Sequence, residues 1–238
     1  MVDNTTKVLK SIWEKLPDEE RRKQLSHIRG VGDWQDIELW ERQGKKSLEN
    51  IRNIYRKLVR PIDGITVFEW GQGGGTNIAG VSSICNHFYS VDISESNVAE
   101  AKKIAKEYDV LFSPSLISSE KDIDNLPIKN NSIDVVLSTA VFQHFPSKEY
   151  AKKVLKAMHK TLKHNGIGII QIRYQNEKFG KKSIKDMSEY VNNHIFSLLF
   201  TLDEFWELLK EVGFSPIQIH DINVGGKNYA TYTFTKEG

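Results

Sequence analysis

Residues 67–78 read VFEWGQGGGTNI: Glu69 closes a short apolar run, and glycines at 71, 73, 74 and 75 follow directly. Backbone without Cβ atoms adopts positive φ easily and lets a bulky ligand lie against the main chain. A second carboxylate, Asp92, ends the run HFYSVD. A carboxylate about twenty residues beyond a glycine loop can accept both hydroxyls of a ribose. Spacing separates the ligand classes that use this layout. A dinucleotide fingerprint needs glycine or alanine at its third position, where Gly71 and Gly73 are followed by Thr76 and the frame from Gly73 and Gly75 meets Ile78. Glu69 would also set a negative charge beside a pyrophosphate, whereas a cationic group would be stabilised there. The residues point to a nucleoside that bears a positive group and no phosphates.

Such a seat needs strands that end at one edge. From Ile65 onward, short apolar strands (ITVFE, HFYSVDI, DVLFS, IDVVLST, IGIIQIRY) alternate with helical stretches, which implies a parallel sheet with helices on both faces. Thr76 to Cys85 reads as a helix, Ser94 and Ser147 read as helix caps, and Asn165-Gly166 reads as the end of the helix that Ser147 opens. Thr201 to Glu204 is a capping box, and Gly213 stops the helix it starts. PIQIHDI and NYATYTFT, joined by NVGGK with its Gly225-Gly226 pair, predict an antiparallel hairpin. Residues 1–60 show no strand signals and predict a helical extension, with Leu48, Ile51, Ile54, Tyr55 and Leu58 on one face. Trp13, Trp34 and Trp40 either pack that extension onto residues 61–238 or form an aromatic lid over a ligand.

The chain has 238 residues, enough for one medium domain with an extension. Lys and Arg number 33 against 31 Asp and Glu, a net charge of +2 that makes a nucleic-acid partner unlikely. The single cysteine, Cys85, excludes an internal disulfide and a thiolate metal cluster. The N-terminus lacks a signal-peptide core and no apolar run is long enough for a bilayer, so a cytoplasmic, membrane-free protein is expected.

VFEWGQGGG, YSVDIS, SIDVVLSTAVFQHFP and LKAMHKTLKHNGIGIIQI together resemble class I S-adenosylmethionine-dependent methyltransferases, from about Ile65 to the C-terminus. The resemblance implies an α/β fold: a doubly wound, mostly parallel seven-stranded sheet whose last strand inserts antiparallel. It implies S-adenosyl-L-methionine as cofactor. Glu69 and the loop of Gly71, Gln72, Gly73 and Gly75 would hold its methionine part, Asp92 its ribose, and Ile93 its adenine. Ser138, Thr139 and Ala140 would line the floor near the sulfonium. Where the family commonly has an aspartate after the third strand, simple alignment gives Ser115 and Leu116, while Asp122 fits with a long insertion.

An oxygen acceptor must lose a proton, for which His144, just past the fourth strand, is suited. Arg173 and Tyr174 follow the fifth strand and could anchor an anionic or hydroxylated substrate, and His194 could reach the same region. His220, alternating with Ile217 and Ile219, reads as structural. STAVFQHF stands where methylases of exocyclic amines carry Asp/Asn-Pro-Pro-aromatic, and Cys85 lies away from the position of a pyrimidine-attacking thiol. A metal-free site and a small-molecule acceptor (a sugar, glycan precursor or natural product, methylated on oxygen or nitrogen) are expected. RNA methylation, a non-catalytic cofactor-binding module and nicotinamide-dependent dehydrogenation stand as alternatives.

Overall fold

The computed structural model describes residues 4–15, 18–175, 183–223 and 228–237. Among these, seven strands form one sheet in the order β3-β2-β1-β4-β5-β7-β6, numbered along the chain. Six run parallel, and β7 is antiparallel. The chain divides into two compact units, Lys10–Ser118 and Ser119–Gly238 with Met1–Leu9. The boundary between the units falls after Ser118, and a second one runs within helix α1 (Asn4–Lys15).

In the unit Lys10–Ser118, Asp18 caps α2 (Glu19–Leu25), and Asp36 caps α3 (Ile37–Lys57) by accepting from the Leu39 N–H at 3.0 Å. Trp40, Leu48, Ile51 and Tyr55 form the buried stripe of α3, whereas Leu58, expected on that stripe, is exposed because the helix ends at Lys57. Strand β1 (Ile65–Trp70) pairs parallel with β2 (Cys85–Asp92), and β2 with β3 (Leu111–Leu116). Helix α4 covers only Thr76–Val81, so Cys85 opens β2 instead of closing a helix. Burial pushes the Cys85 thiol up to about 12, which keeps it protonated and poorly nucleophilic. Ser94 caps α5 (Glu95–Glu107) as the sequence predicts, and Ala101, Ile104 and Ala105 form its buried face.

Helices α3 and α4 approach without side chains between them. A Cβ on Gly44 would lie 2.2 Å from the Thr76 carbonyl oxygen, and one on Gly80 would lie 2.2 Å from that of Gly44. Two glycines, one from each helix, set this spacing.

In the unit Ser119–Gly238, Ser119 and Asp122 form a capping box on α6 (Glu120–Asp124). Strand β4 (Ile133–Ser138) precedes α7 (Lys148–Thr161), and β5 (Leu162–Arg173) starts directly where α7 stops. Asn165-Gly166 thus belongs to β5 rather than to the end of α7. Its extra length is absorbed in a register shift, since Ile133 pairs with Leu162 but Val135 with Ile167, and Asn165 takes φ 61°. After α8 (Tyr190–Asn193), the Thr201/Glu204 capping box opens α9 (Leu202–Val212), and Gly213 closes it at φ 102°. β6 (Phe214–His220) pairs antiparallel with β7 (Tyr229–Lys236), and β7 pairs antiparallel with β5. The Gly225-Gly226 turn lies outside the described residues. His220 ends β6 half-buried, its Nδ1 3.4 Å from Asp221.

Candidate functional site

Strand order reverses at β1, where ligands of open parallel sheets bind beyond the strand ends. Glu69, next to last in β1, is 1% exposed. Its Oε1 accepts from Asn77 Nδ2 at 2.5 Å, and Asn77 Oδ1 accepts from the Ser47 hydroxyl of α3 at 2.8 Å. Its Oε2 is buried with no hydrogen-bond partner among the described residues, and so are both amide atoms of Gln72 and the hydroxyl of Thr76. Buried polar atoms left unsatisfied cost about 1–3 kcal/mol each, so four of them in one short segment need an explanation. Burial pushes the Glu69 carboxyl up to about 8; the Asn77 hydrogen bond works against this and the Asp92 charge adds to it.

Gly71, Gly73 and Gly75 all take positive φ (78°, 50° and 86°), the conformation the sequence predicts for this loop. The bareness of Gly73 and Gly74 has a second cause. A Cβ on Gly73 would lie 2.5 Å from the Ser26 carbonyl oxygen, and one on Gly74 2.6 Å from that of His27. The Gly74 N–H also donates to the Ser26 carbonyl at 2.7 Å. At these two positions the loop is bare against the chain's own segment 26–28.

That segment is built to stay in place. His27 takes φ 58° and its carbonyl accepts from the Trp40 indole at 2.8 Å, while the Trp34 indole donates to Gln24 at 2.6 Å and its ring lies 4.4 Å from that of His27. Arg29 pairs with both carboxylate oxygens of Glu107 on α5 and lies over the Trp40 ring. Two of the three tryptophans are thus packing anchors for residues 24–28. Trp13 contributes its carbonyl, which accepts from Arg22 at 3.2 Å.

Asp92 ends β2, buried. Its Oδ2 accepts from the Gly73 N–H at 3.1 Å and its Oδ1 from the Ser94 N–H at 2.8 Å, so one side chain ties the glycine loop to the start of α5. Burial raises its carboxyl to about 6, while the N–H groups of Ser94, Gly73 and Ile93 and the Asn97 amide pull the other way. Ile93 is half-buried beside it. The register sets Ser115 against Val91 and Leu116 against Asp92, and the Ile117 N–H donates to the Asp92 carbonyl at 2.9 Å. Asp122 belongs to the other unit, and its carboxylate accepts from the Ser119 N–H at 2.8 Å as a helix cap.

The unit Ser119–Gly238 gathers the remaining predicted residues. Ser138 ends β4, fully buried, and Thr139 and Ala140 follow half-buried, Ala140 in the left-handed region at φ 57°. Positive φ is uncommon for a residue with a Cβ and recurs at functional loops. A 3₁₀ turn at Phe142–His144 is stapled to the connection before α9. Tyr190 donates to the His144 carbonyl at 2.8 Å, Ser197 to the carbonyls of Gln143 and Phe145 at 2.9 Å, and the Leu198 N–H to Gln143 at 3.1 Å. His144 Nδ1 lies 2.7 Å from the His194 carbonyl. A carbonyl only accepts, so Nδ1 carries the proton and the lone pair of the neutral ring resides on Nε2. Burial pushes the His144 imidazole down to about 3; the His194 and Ala140 carbonyls oppose this, and the charges of His194 and Arg173 reinforce it. Tyr174 is buried, its hydroxyl donating to the Asn223 carbonyl at 3.3 Å.

A protein-family profile described as a methyltransferase domain matches residues 68–170, which run from β1 through the glycine loop and Asp92 into β5. Residues 68–170 thus carry a methyltransferase domain, and the fold around them is that of class I S-adenosylmethionine-dependent methyltransferases. Solved structures with this domain's fold agree in architecture. A Haemonchus contortus phosphoethanolamine N-methyltransferase 2 in complex with S-adenosyl-L-methionine is 14% identical, with a TM-score of 0.64 over 97% of this chain and 60% of its own. The CurJ carbon methyltransferase is 15% identical, with a TM-score of 0.62 over 82% of this chain and 54% of its own. A Thermotoga maritima S-adenosylmethionine-dependent methyltransferase, a possible histamine N-methyltransferase, is 19% identical, with a TM-score of 0.57 over 96% of this chain and all of its own. The chain thus spans little more than half the length of the first two. No curated protein sequence matches it.

Glu69, the glycine loop and Asp92 lie in one unit, and His144, Arg173 and Tyr174 in the other. Sequence reasoning missed Asn77, Ser47, Tyr190 and Ser197, polar residues whose roles come from long-range pairing that no local spacing signals. Gly44 and Gly80, small residues in helical stretches, were the available hint that α3 and α4 meet closely. Among the described residues no helix is long and apolar enough to cross a membrane.

Proposed function

We propose that the protein transfers the methyl group of S-adenosylmethionine to an oxygen or nitrogen atom of a small-molecule acceptor. The observation that carries this reading is the set of buried atoms without partners at Glu69, Gln72 and Thr76, gathered around a carboxyl that burial has pushed up to about 8. The ammonium of the cofactor's methionine end is the group that suits them. It satisfies Glu69 Oε2, restores the carboxylate charge, and leaves Gln72 and Thr76 to the neighbouring polar atoms. Asp92, with both oxygens oriented by backbone donors, takes the ribose hydroxyls. Ile93, Ser115 and Leu116 border the adenine. The cofactor, when bound, supplies an electrophilic methyl group.

Displacement at that methyl is in-line, so holding the acceptor in position and excluding water supply most of the acceleration. His144 enters as a neutral ring that accepts a hydrogen bond from the acceptor through Nε2. A ring pushed so low is a poor proton sink, so its contribution is orientation of the acceptor's O–H or N–H. The similar structures include both nitrogen and carbon methyltransferases, so the acceptor atom is decided by assay. Purified protein is incubated with donor carrying a labelled methyl group and fractionated metabolite extracts. Label in a small molecule supports the reading; label in RNA, or cofactor binding with no transfer to any fraction, rejects it.

A further inference from the structure

Arg173, last in β5, has the features of an anion receptor with no acidic partner among the described residues. Its guanidinium carbon lies 4.5 Å from the Phe196 ring and 4.9 Å from the Tyr229 ring, within cation–π distance of both. One terminal nitrogen donates to the Tyr229 hydroxyl at 3.0 Å. Because that hydroxyl accepts from Arg173, its own proton is directed away from the guanidinium. The Nε–H is buried with no acceptor among the described residues. Half-buried arginines are ordinarily matched by a carboxylate, yet among the described residues no acidic group lies within ion-pair distance of this one.

The surroundings therefore combine one guanidinium with two aromatic rings, and they present N–H groups in a planar fork. That fork matches two oxygens of a carboxylate or a phosphate, which it binds through paired charge-assisted hydrogen bonds. Tyr174 does not compete for the role, since its hydroxyl is spent on the Asn223 carbonyl. We infer that the acceptor is an acid, and that its carboxylate or phosphate docks on Arg173 with the Tyr229 hydroxyl. The inference rests on the methyltransferase reading and narrows it to oxyanion-bearing acceptors.

The test uses the full chain saturated with S-adenosylhomocysteine, whose affinity is first measured by calorimetry so that failure of the cofactor reading is seen separately. Acetate, inorganic phosphate and, as a neutral control, acetamide are titrated at constant ionic strength. The Arg173 Nε–H resonance and nearby amides are followed by NMR. Saturable shifts with acetate or phosphate, and none with acetamide, are expected, and the stronger of the two anions tells a carboxylate acceptor from a phosphate. Arg173→Gln should weaken the binding at least tenfold and Tyr229→Phe severalfold, with S-adenosylhomocysteine affinity unchanged. Arg173→Lys, which keeps the charge and loses the fork, should fall between and serves if the glutamine variant does not fold. Equal shifts with acetamide, no saturation with either anion, or anion affinity unaltered in the variants would overturn the inference.

Discussion

Burial pushes the Glu69 carboxyl up to about 8, whereas the unfolded chain gives up that proton near 4.5. Between these values the unfolded state binds fewer protons than the folded one, so stability from this group is full below 4.5 and is lost as pH rises through 8. Thermal unfolding of the cofactor-free protein should therefore decline across that window, and Glu69→Gln should flatten the decline and raise the midpoint at pH 8. A pH profile identical in the two proteins would show that Glu69 is not a buried acid. Cofactor binding should release a proton near pH 7, measurable by calorimetry in buffers of different ionisation heat, and Glu69→Gln should abolish the release. His144 gives the opposite kind of statement. Its ring stays neutral down to about pH 3, so the pH–rate profile should lack an inflection near 6.5 from this residue. An acidic limb near 6.5 that disappears in His144→Asn would restore a proton-accepting role.

At the scale of elements, the contact of α3 with α4 couples the N-terminal extension to the site. Gly80→Ala drives a methyl into the Gly44 carbonyl, and overpacking of this kind costs about 1–3 kcal/mol. Ser47→Ala removes the hydroxyl that donates to Asn77 Oδ1, at about 0.5–1.5 kcal/mol. Denaturant unfolding should report both losses, and Ser47→Ala should additionally weaken S-adenosylhomocysteine binding because Asn77 orients Glu69. Affinity unchanged in Ser47→Ala would mean that Asn77 needs no help from α3. The elements themselves were readable from local signals: Ser94, Ser147, Thr201 and Gly213 cap the helices the sequence assigns to them. The sequence reading was incomplete where local signals have two uses. Asn165-Gly166 can end a helix or absorb a register shift, and only the pairing of β4 with β5 decides between them. Gly73 and Gly74 can admit a ligand or the chain's own backbone, and residues 26–28 lie too far away in sequence to be foreseen there.

At the scale of the molecule, the parallel sheet follows from strand–helix alternation and the antiparallel β6–β7 pair from the shortness of the last connection, both visible in the sequence, whereas the place of β7 between β5 and β6 came only from the family resemblance. The cofactor class was legible too, because Glu69, the failed third glycine and Asp92 are type and spacing signals. Arg173 was legible as a possible anchor for an anionic or hydroxylated substrate, but its packing against Phe196 and Tyr229 was not, since the three meet across long separations. The central claim is that Glu69, the glycine loop and Asp92 hold a nucleoside sulfonium. Calorimetric titration of S-adenosylhomocysteine into the wild-type protein and Asp92→Ala tests it most directly, with the fold of the variant checked by circular dichroism. Loss of hydrogen bonds to a charged group, worth about 1.5–3 kcal/mol, predicts roughly ten- to a hundredfold weaker binding in the variant. Equal affinity in the two proteins, or no binding by the wild type, would contradict it.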